Sequence, residues 1–275
     1  MHPIGLAALT VLELTPPDMV SCAADAGFDS IGLRLLPPTA EEVQHPMIGD
    51  TPLVRETARR IADTGVPVLD IELFRLKPET NVDDYREALE TGARLGAREV
   101  LLAGNDPDEA RLTDRFAAFC DLAREFGMGA NLEPMPWTDV KNFAQGVRIV
   151  AAAGRDNGAI AIDPIHFDRG GSRADEIAAV PRTRLRYMQL CDAPAARPTD
   201  TETLLHQARA ERLMPGDGGL DLRGILRAVP PDLPVSLEIP MRTLTRTMPA
   251  LERTRQMLAK TRRLLESLRS PNDDS

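Results

Sequence analysis

The chain has 275 residues, 43% hydrophobic, 27% charged and 4% aromatic, and that length buries a large core without help from disulfides or a structural metal. Its net charge is −9 with no dense basic cluster, which argues against nucleic acid or an anionic membrane as the main partner. Three scattered cysteines (Cys22, Cys120, Cys191) with no CxxC pair read as reduced thiols of a cytoplasmic protein. The N-terminus, MHPIGLAALTVLEL, lacks a basic stretch and meets Glu13 early, so no signal peptide is expected. No apolar run approaches the roughly 18 residues of a membrane span.

In chain order, short apolar runs alternate with longer amphipathic stretches. The run 3–9 (PIGLAAL) precedes a predicted helix at 16–26, whose start is marked by Thr15-Pro16-Pro17-Asp18, a capping hydroxyl before proline with an acid three residues on. The run 29–35 (DSIGLRL) precedes a helix at 52–64 behind a second cap-plus-proline pair, Thr51-Pro52. Then come 66–73 (VPVLDIEL) with a helix at 82–95, 98–103 (REVLLA) with 108–126, 128–133 (MGANLE) with 139–153, and 158–163 (GAIAID) with 172–179. The last two runs, 185–190 (LRYMQL) and 234–239 (PVSLEI), precede helices at 221–228 and 243–268. Gly27, Gly65, Gly127 and Gly154 stand where helices must turn back. Near-continuous apolar runs of this length suit strands buried on both faces of a parallel sheet. Eight β-then-α units predict a single-domain (β/α)₈ TIM barrel over 1–270, with a disordered tail at 271–275. Leu251, Met257, Leu258, Leu264 and Leu265 lie among Arg and Lys in the last helix, which is read as packing on the barrel or partly serving a homo-oligomer. The segment 191–217 is too long for a simple βα loop, and loops of that length are usually functional or mobile.

Barrel active sites sit where strands end. Four predicted strands end in a potential metal ligand: Glu133, Asp163, Gln189 and Glu238. Three carboxylates converging on one mouth repel each other strongly without a cation, and oxygen-rich ligation favours Mn²⁺, Mg²⁺ or Co²⁺. Each acid alone has an ordinary alternative, pairing with an arginine at the rim; the combination is what points to a metal. Arg34 and Glu72 end strands two and three, as a mutual salt bridge or as substrate contacts. Arg209 and Arg212 in the long segment are candidates to clamp a substrate carboxylate or hydroxyls. Trp137 is a candidate apolar wall over the substrate.

The order Glu, Asp, His-or-Gln, Glu at the ends of strands five to eight resembles the xylose-isomerase-like barrel superfamily of sugar isomerases, epimerases and dehydratases. The likeness spans essentially the whole chain and is densest in LEPMPWT (132–138), IDPIHFDRGG (162–171), YMQLCDAP (187–194), RLMPGDGGLDL (212–222) and VSLEI (235–239). Gln189, in place of the histidine of tagatose-type epimerases, looks more like the bacterial 3-dehydroshikimate dehydratases. In related sequences a histidine often lies between arginines such as Arg209 and Arg212, where this chain has Ala210. The resemblance makes His166, three residues after Asp163, a substrate-contacting or proton-transferring group rather than a ligand. It implies one divalent metal, a small polyhydroxy ketone substrate, and catalysis by Glu133, Glu238 and His166 through an enolate. Two other classes remain: an endonuclease-IV-like DNA repair barrel, disfavoured by four histidines and excess acid, and an inactive barrel serving as a binding protein.

Overall fold

The computed structural model describes residues 2–37 and 42–268, so the expected tail at 271–275 lies outside the described residues. All eight apolar runs form strands of one parallel sheet: β1 (Ile4–Leu6), β2 (Ser30–Arg34), β3 (Val68–Leu76), β4 (Glu99–Gly104), β5 (Gly129–Glu133), β6 (Gly158–Ile160), β7 (Met188–Leu190) and β8 (Val235–Leu237). The strands pair in the order β6-β5-β4-β3-β2-β1-β8-β7. A parallel bridge between Ile162 and Met188 joins the two edges, with the Gln189 amide donating to the Ile162 carbonyl at 2.9 Å. That single bridge brings the two edge strands of the curled sheet together at the mouth end.

The helices are α1 (Pro16–Ala26), α2 (Pro52–Thr64), α3 (Arg86–Arg94), α4 (Glu109–Glu125), α5 (Phe143–Ala153), α6 (Pro164–Arg169), α7 (Ala174–Ala178), α8 (Thr201–Arg209), α9 (Leu222–Ala228), α10 (Arg242–Thr245) and α11 (Ala250–Ser267). None among the described residues is long and apolar enough to cross a membrane. The Thr51 cap works as the sequence suggests, accepting from the Val54 amide, and Gly65 ends α2 in the left-handed region at φ 71°. The Thr15 hydroxyl instead donates to the Asp18 carboxylate at 2.6 Å.

Several expected boundaries are corrected. The helix expected at 82–95 splits into a 3₁₀ turn, Val82–Tyr85, and α3. The helix expected at 243–268 breaks into α10 and α11, because Pro249 takes an extended ψ of 147° immediately before α11. The segment 191–217 is not all loop: Asp200 accepts from the Thr203 amide and opens α8. Asp163 likewise accepts from the Ile165 amide, with Pro164 behind it, and opens the unanticipated α6. Met257, Leu258 and Leu265 of α11 are buried, and the buried Arg253 donates to Glu13 and to the Thr10 carbonyl. The last helix therefore packs on the barrel.

The apolar core lies between strands and helices; one part is a trio of edge-to-face rings, Phe74, Tyr85 and Phe119, with centroids 5.1–5.8 Å apart. Such pairs add roughly 0.5–1.5 kcal/mol each beyond their burial. The barrel interior is different, carrying polar side chains across its width. Tyr187 donates to Asp70 at 3.4 Å, Asn131 donates to Glu99 at 2.9 Å, and Arg186 pairs with Glu99 at 2.7 Å. Glycine makes the room: a Cβ on Gly32, the register partner of Asp70, would lie 2.6 Å from the Asp70 Oδ1.

Burial holds the Asp70 carboxyl well above the usual carboxylate range, with Glu72 and Glu238 adding to the effect. A carboxyl raised on folding contributes stability that is present below its unfolded pKa and is lost as pH rises through the interval above it. An Asp70→Asn variant, neutral throughout, is therefore expected to gain on the wild type between pH 4.5 and pH 8, by about 1 kcal/mol or more. Denaturant unfolding of both proteins at the two pH values checks this. An unchanged difference would mean that Asp70 is ionised in the folded chain.

Candidate active site

Four strand ends converge at one mouth of the barrel. Glu133 ends β5, Asp163 links β6 to α6, Gln189 lies in β7 and Glu238 directly follows β8. Their exposures are 3%, 2%, 1% and 4%, so their charges can be balanced only by neighbours or a bound ion.

Arg212 supplies part of that balance. It is buried and reaches in from the segment after α8. Its Nη1 donates to Asp163 Oδ2 at 2.6 Å and to the Glu238 carbonyl at 3.0 Å, and its Nε donates to the Ala208 carbonyl at 2.7 Å. Its Nη2 lies 2.7 Å from Glu238 Oε2. Gln189 Nε2 donates to the other Glu238 oxygen at 3.0 Å. Asp163 and Glu238 are thus tied down by Arg212, which makes no hydrogen bond to Glu133 among the described residues. His166 Nε2 is 3.8 Å from both Glu133 Oε1 and Asp163 Oδ2.

The electrostatics follow these contacts. Burial pushes the Asp163 carboxyl up, but Arg212 and His166 outweigh it and hold it below the usual range. Burial, then Glu238 and Asp163, push Glu133 well up. Glu238 is pushed up to about 8, chiefly by burial, although Arg212 opposes the rise. Burial lowers the His166 imidazole to about 4 against the pull of Asp163, so it is neutral at neutral pH.

Glu133 Oε1, Gln189 Oε1, Glu72 Oε2 and His166 Nδ1 are buried without a hydrogen-bond partner among the described residues. Orphaned acceptors facing raised carboxylates fit a hard divalent cation. Ligand atoms of Glu133, Asp163 and His166 all lie within 4.8 Å of one another. Two donor sets therefore share Glu133 and Asp163: one is completed by Gln189 and Glu238, the other by His166.

Beside this set opens a cavity whose lining includes Arg34, Glu72, Arg75, Trp137, His166 and Arg209. Arg34, paired in register with Glu72, donates to it at 3.2 Å and to Glu42 at 2.6 Å; the rim salt bridge is formed. Trp137 stands edge-on to His166 at 4.8 Å, with the Arg209 guanidinium over its ring at 5.6 Å. The sequence reading missed Arg75, because β3 runs on past residue 73 to Leu76. It also missed Asp192. That buried carboxylate accepts from the amides of Ala193, Gly216, Gly218 and Leu220 at 2.8–3.1 Å, while its backbone pairs with Leu213. Asp192 is the anchor that holds residues 212–220, and with them Arg212, against the end of β7.

A family model described as a xylose isomerase-like TIM barrel matches residues 20–267. The 3-dehydroshikimate dehydratase of Pseudomonas aeruginosa is 25% identical over 235 residues, 81% of this chain and 35% of that protein. The inosose isomerase of Bacillus velezensis is 23% identical over 158 residues, 54% of each protein. The chain spans about a third to a half of the length of these curated relatives. Among solved structures, the IolI protein with a bound zinc atom has a TM-score of 0.77 at 18% identity, covering 98% of this chain and 99% of that one.

Replacing Asp192 by alanine would strand four backbone donors in or near the interior. Asp192→Ala is expected to cost about 3 kcal/mol or more, measured by denaturant unfolding, whereas Asp217→Ala on the same loop, an exposed ion pair with Lys260, should cost less than about 1 kcal/mol.

Proposed function

The chain belongs to the xylose isomerase-like TIM barrel family, and from that premise we propose that it is a divalent-metal-dependent enzyme that isomerises, epimerises or dehydrates a polyhydroxy ketone such as a keto-sugar or cyclitol. The observation that carries this reading is the buried convergence of Glu133, Asp163, Gln189 and Glu238, with acceptors on Glu133 and Gln189 left unpartnered. A dehydration of the 3-dehydroshikimate type is the second reading, favoured by Gln189 at the third position and by the dehydratase relative. The three cysteines, all free and buried, agree with a cytoplasmic setting.

Glu133, Asp163, Gln189 and Glu238 would hold the cation, with Mn²⁺, Mg²⁺ or Co²⁺ best matched to their oxygen donors. When bound, it supplies Lewis-acid polarisation of a substrate carbonyl and of the neighbouring hydroxyl. The chain's own residues do the rest. Glu133, its carboxyl raised, is placed to exchange a proton at the carbon beside that carbonyl. Glu238, steadied by Arg212, would serve the other face of the substrate. Return of the proton to the opposite face epimerises, its return to the neighbouring carbon isomerises, and loss of a β-hydroxyl dehydrates. His166, neutral at pH 7, contacts substrate and shares a proton with Glu133. Arg34, Glu72 and Trp137 wall the substrate in.

Elemental analysis and thermal-shift titration with Mn²⁺, Mg²⁺, Co²⁺ and Zn²⁺ test this reading. About one ion per chain and a rise in Tm are expected for the wild type. In Glu133→Gln the metal-dependent rise should vanish while the metal-free variant melts no lower than the wild type, since a buried, unpaired carboxyl is removed. No ion and no shift in the wild type would leave only a binding protein. His166→Asn should keep its metal and lose roughly 100-fold in turnover; loss of the ion would instead move His166 into the ligand set.

A further inference from the structure

The segment after β7 leaves the barrel and returns to the same point. Asp192 and Leu213 exchange both backbone hydrogen bonds, at 2.9 and 2.8 Å. The returning limb is also held on its other side: the Arg212 amide donates to the Pro240 carbonyl and the Arg242 amide to the Ala210 carbonyl, both at 2.9 Å. Glu211 accepts from the Thr243 amide and hydroxyl. Between these pinned ends lie residues 196–209, with α8 as their body. Of the nine residues of α8 only Ala208 is buried, whereas α5 buries five of eleven. A helix this short is marginal by itself and depends on packing, so one that packs so little belongs at the low end of local stability. Among the described residues no backbone-to-backbone bond ties 196–209 to a residue outside the segment. Its ties are side chains, and most come from one place. Arg169, the last residue of α6, donates to the Pro194 carbonyl at 2.6 Å and to the Gln207 side chain at 3.3 Å. Asp168 beside it pairs with Arg197 at 3.1 Å. At the inner edge the Arg209 guanidinium stands over the Trp137 ring.

We propose that residues 196–209 form a hinged flap over the barrel mouth, latched to α6 by Arg169, and that its opening admits ligands to the cavity. Ala208 and Arg209 are the part of the cavity lining that α8 carries. Glu133, His166 and Glu238 are each under 5% exposed, so a ligand of more than a few atoms reaches them only when part of the lining moves aside. The pinned ends fix where the bending falls. One hinge is the exposed stretch around Arg197; the other is Ala210, just past the helix at φ −133° and ψ −35°. A few element-terminal residues suffice to absorb such a change. Arg212 lies outside the moving part, tied to Asp163 and Glu238, so opening leaves the donor set in place. The latch sits on the site's own helix: α6 is opened by Asp163 and carries His166. The flap follows from the anchoring of the segment and holds for any ligand of this cavity, whatever the reaction.

Trp137, the only tryptophan of the chain, lies under the inner edge of the flap and reports on it. Hydrogen exchange followed by mass spectrometry and acrylamide quenching of Trp137 fluorescence are measured on the full chain. Wild type is compared with Arg169→Gln and Gln207→Ala, and with Arg182→Gln as a control that loses only an exposed pair with Asp232. In the wild type the amides of 201–209 should exchange roughly tenfold or more faster than those of α4 and α5. Either latch substitution should speed α8 further and raise the quenching constant, each by about twofold or more, with exchange in α4 and α5 unchanged and Tm within about 2 °C. The control should change neither. If Arg169→Gln, at a buried side chain, lowers Tm by more than that, Gln207→Ala decides. Exchange in wild-type α8 as slow as in α4 and α5 would overturn the proposal. So would quenching that stays unchanged in both latch variants, because α8 would then fray in place without opening the mouth.

Discussion

Buried negative charge at the barrel mouth is the constraint around which the rest of the molecule is arranged. Glu72, Glu133, Asp163 and Glu238 are all under 5% exposed, and two like charges about 4 Å apart repel by about 4 kcal/mol even at an effective dielectric of 20. Two guanidiniums, Arg34 and Arg212, face these four carboxylates. The answer at each acid is different: Asp163 stays ionised under Arg212 and the Ile165 amide, whereas Glu133 and Glu238 are pushed toward their protonated forms. The demands then spread outward. Arg212 must be buried, so residues 212–220 must be pinned to the end of β7, and Asp192 does the pinning with four backbone amides.

The barrel interior below the mouth obeys the same logic with less charge. Asp70, Glu99, Asn131, Tyr187 and Arg186 span a space that barrels commonly fill with branched aliphatic residues. They fit because Gly32 and Gly129 stand opposite them; at Gly129 a Cβ would collide with Arg186 and Glu99. Arg186 and Glu99 neutralise each other at the far end, and burial pushes the Asp70 carboxyl well above the usual carboxylate range. Polar interior and acidic mouth are thus continuous, and the negative charge of Glu72 and Glu238 helps to raise Asp70.

Much of this was legible in the sequence, for definite reasons. A strand buried on both faces must be apolar along its length, so an acid at its end, as in NLE, AID and SLE, stands out, and the proline-backed caps mark where α1 and α2 begin. What stayed hidden depended on contacts remote in sequence. Nothing near Arg212 announces that its partners are Asp163 and Glu238, 49 and 26 residues away. Asp192 reads as an ordinary loop acid until the bridge to Leu213 brings the glycine-rich turn onto it. The cap that opens α8, Asp200 followed by Thr203, was present in the sequence but sat inside a segment whose length suggested a loop. Arg75 stayed hidden because the apolar run 66–73 stops at Leu73, while the strand continues through the buried Phe74 and Leu76.

Arg212 within a proposed cation site looks at first like a competitor for the same carboxylates. The bonding pattern argues otherwise. Each carboxylate offers about four lone-pair directions, and Arg212 takes Oδ2 of Asp163 and Oε2 of Glu238, leaving Glu238 Oε1 to the Gln189 amide and Glu133 untouched. Side-chain amides are free to exchange their oxygen and nitrogen by rotation, and Gln189 Oε1 is the atom without a partner. Two members of the set are therefore held in place by an internal cation, while Glu133 and Gln189 wait for an external one. On the proposed reading, Arg212 thus fixes the geometry of two of the donors and leaves the cation to Glu133 and Gln189.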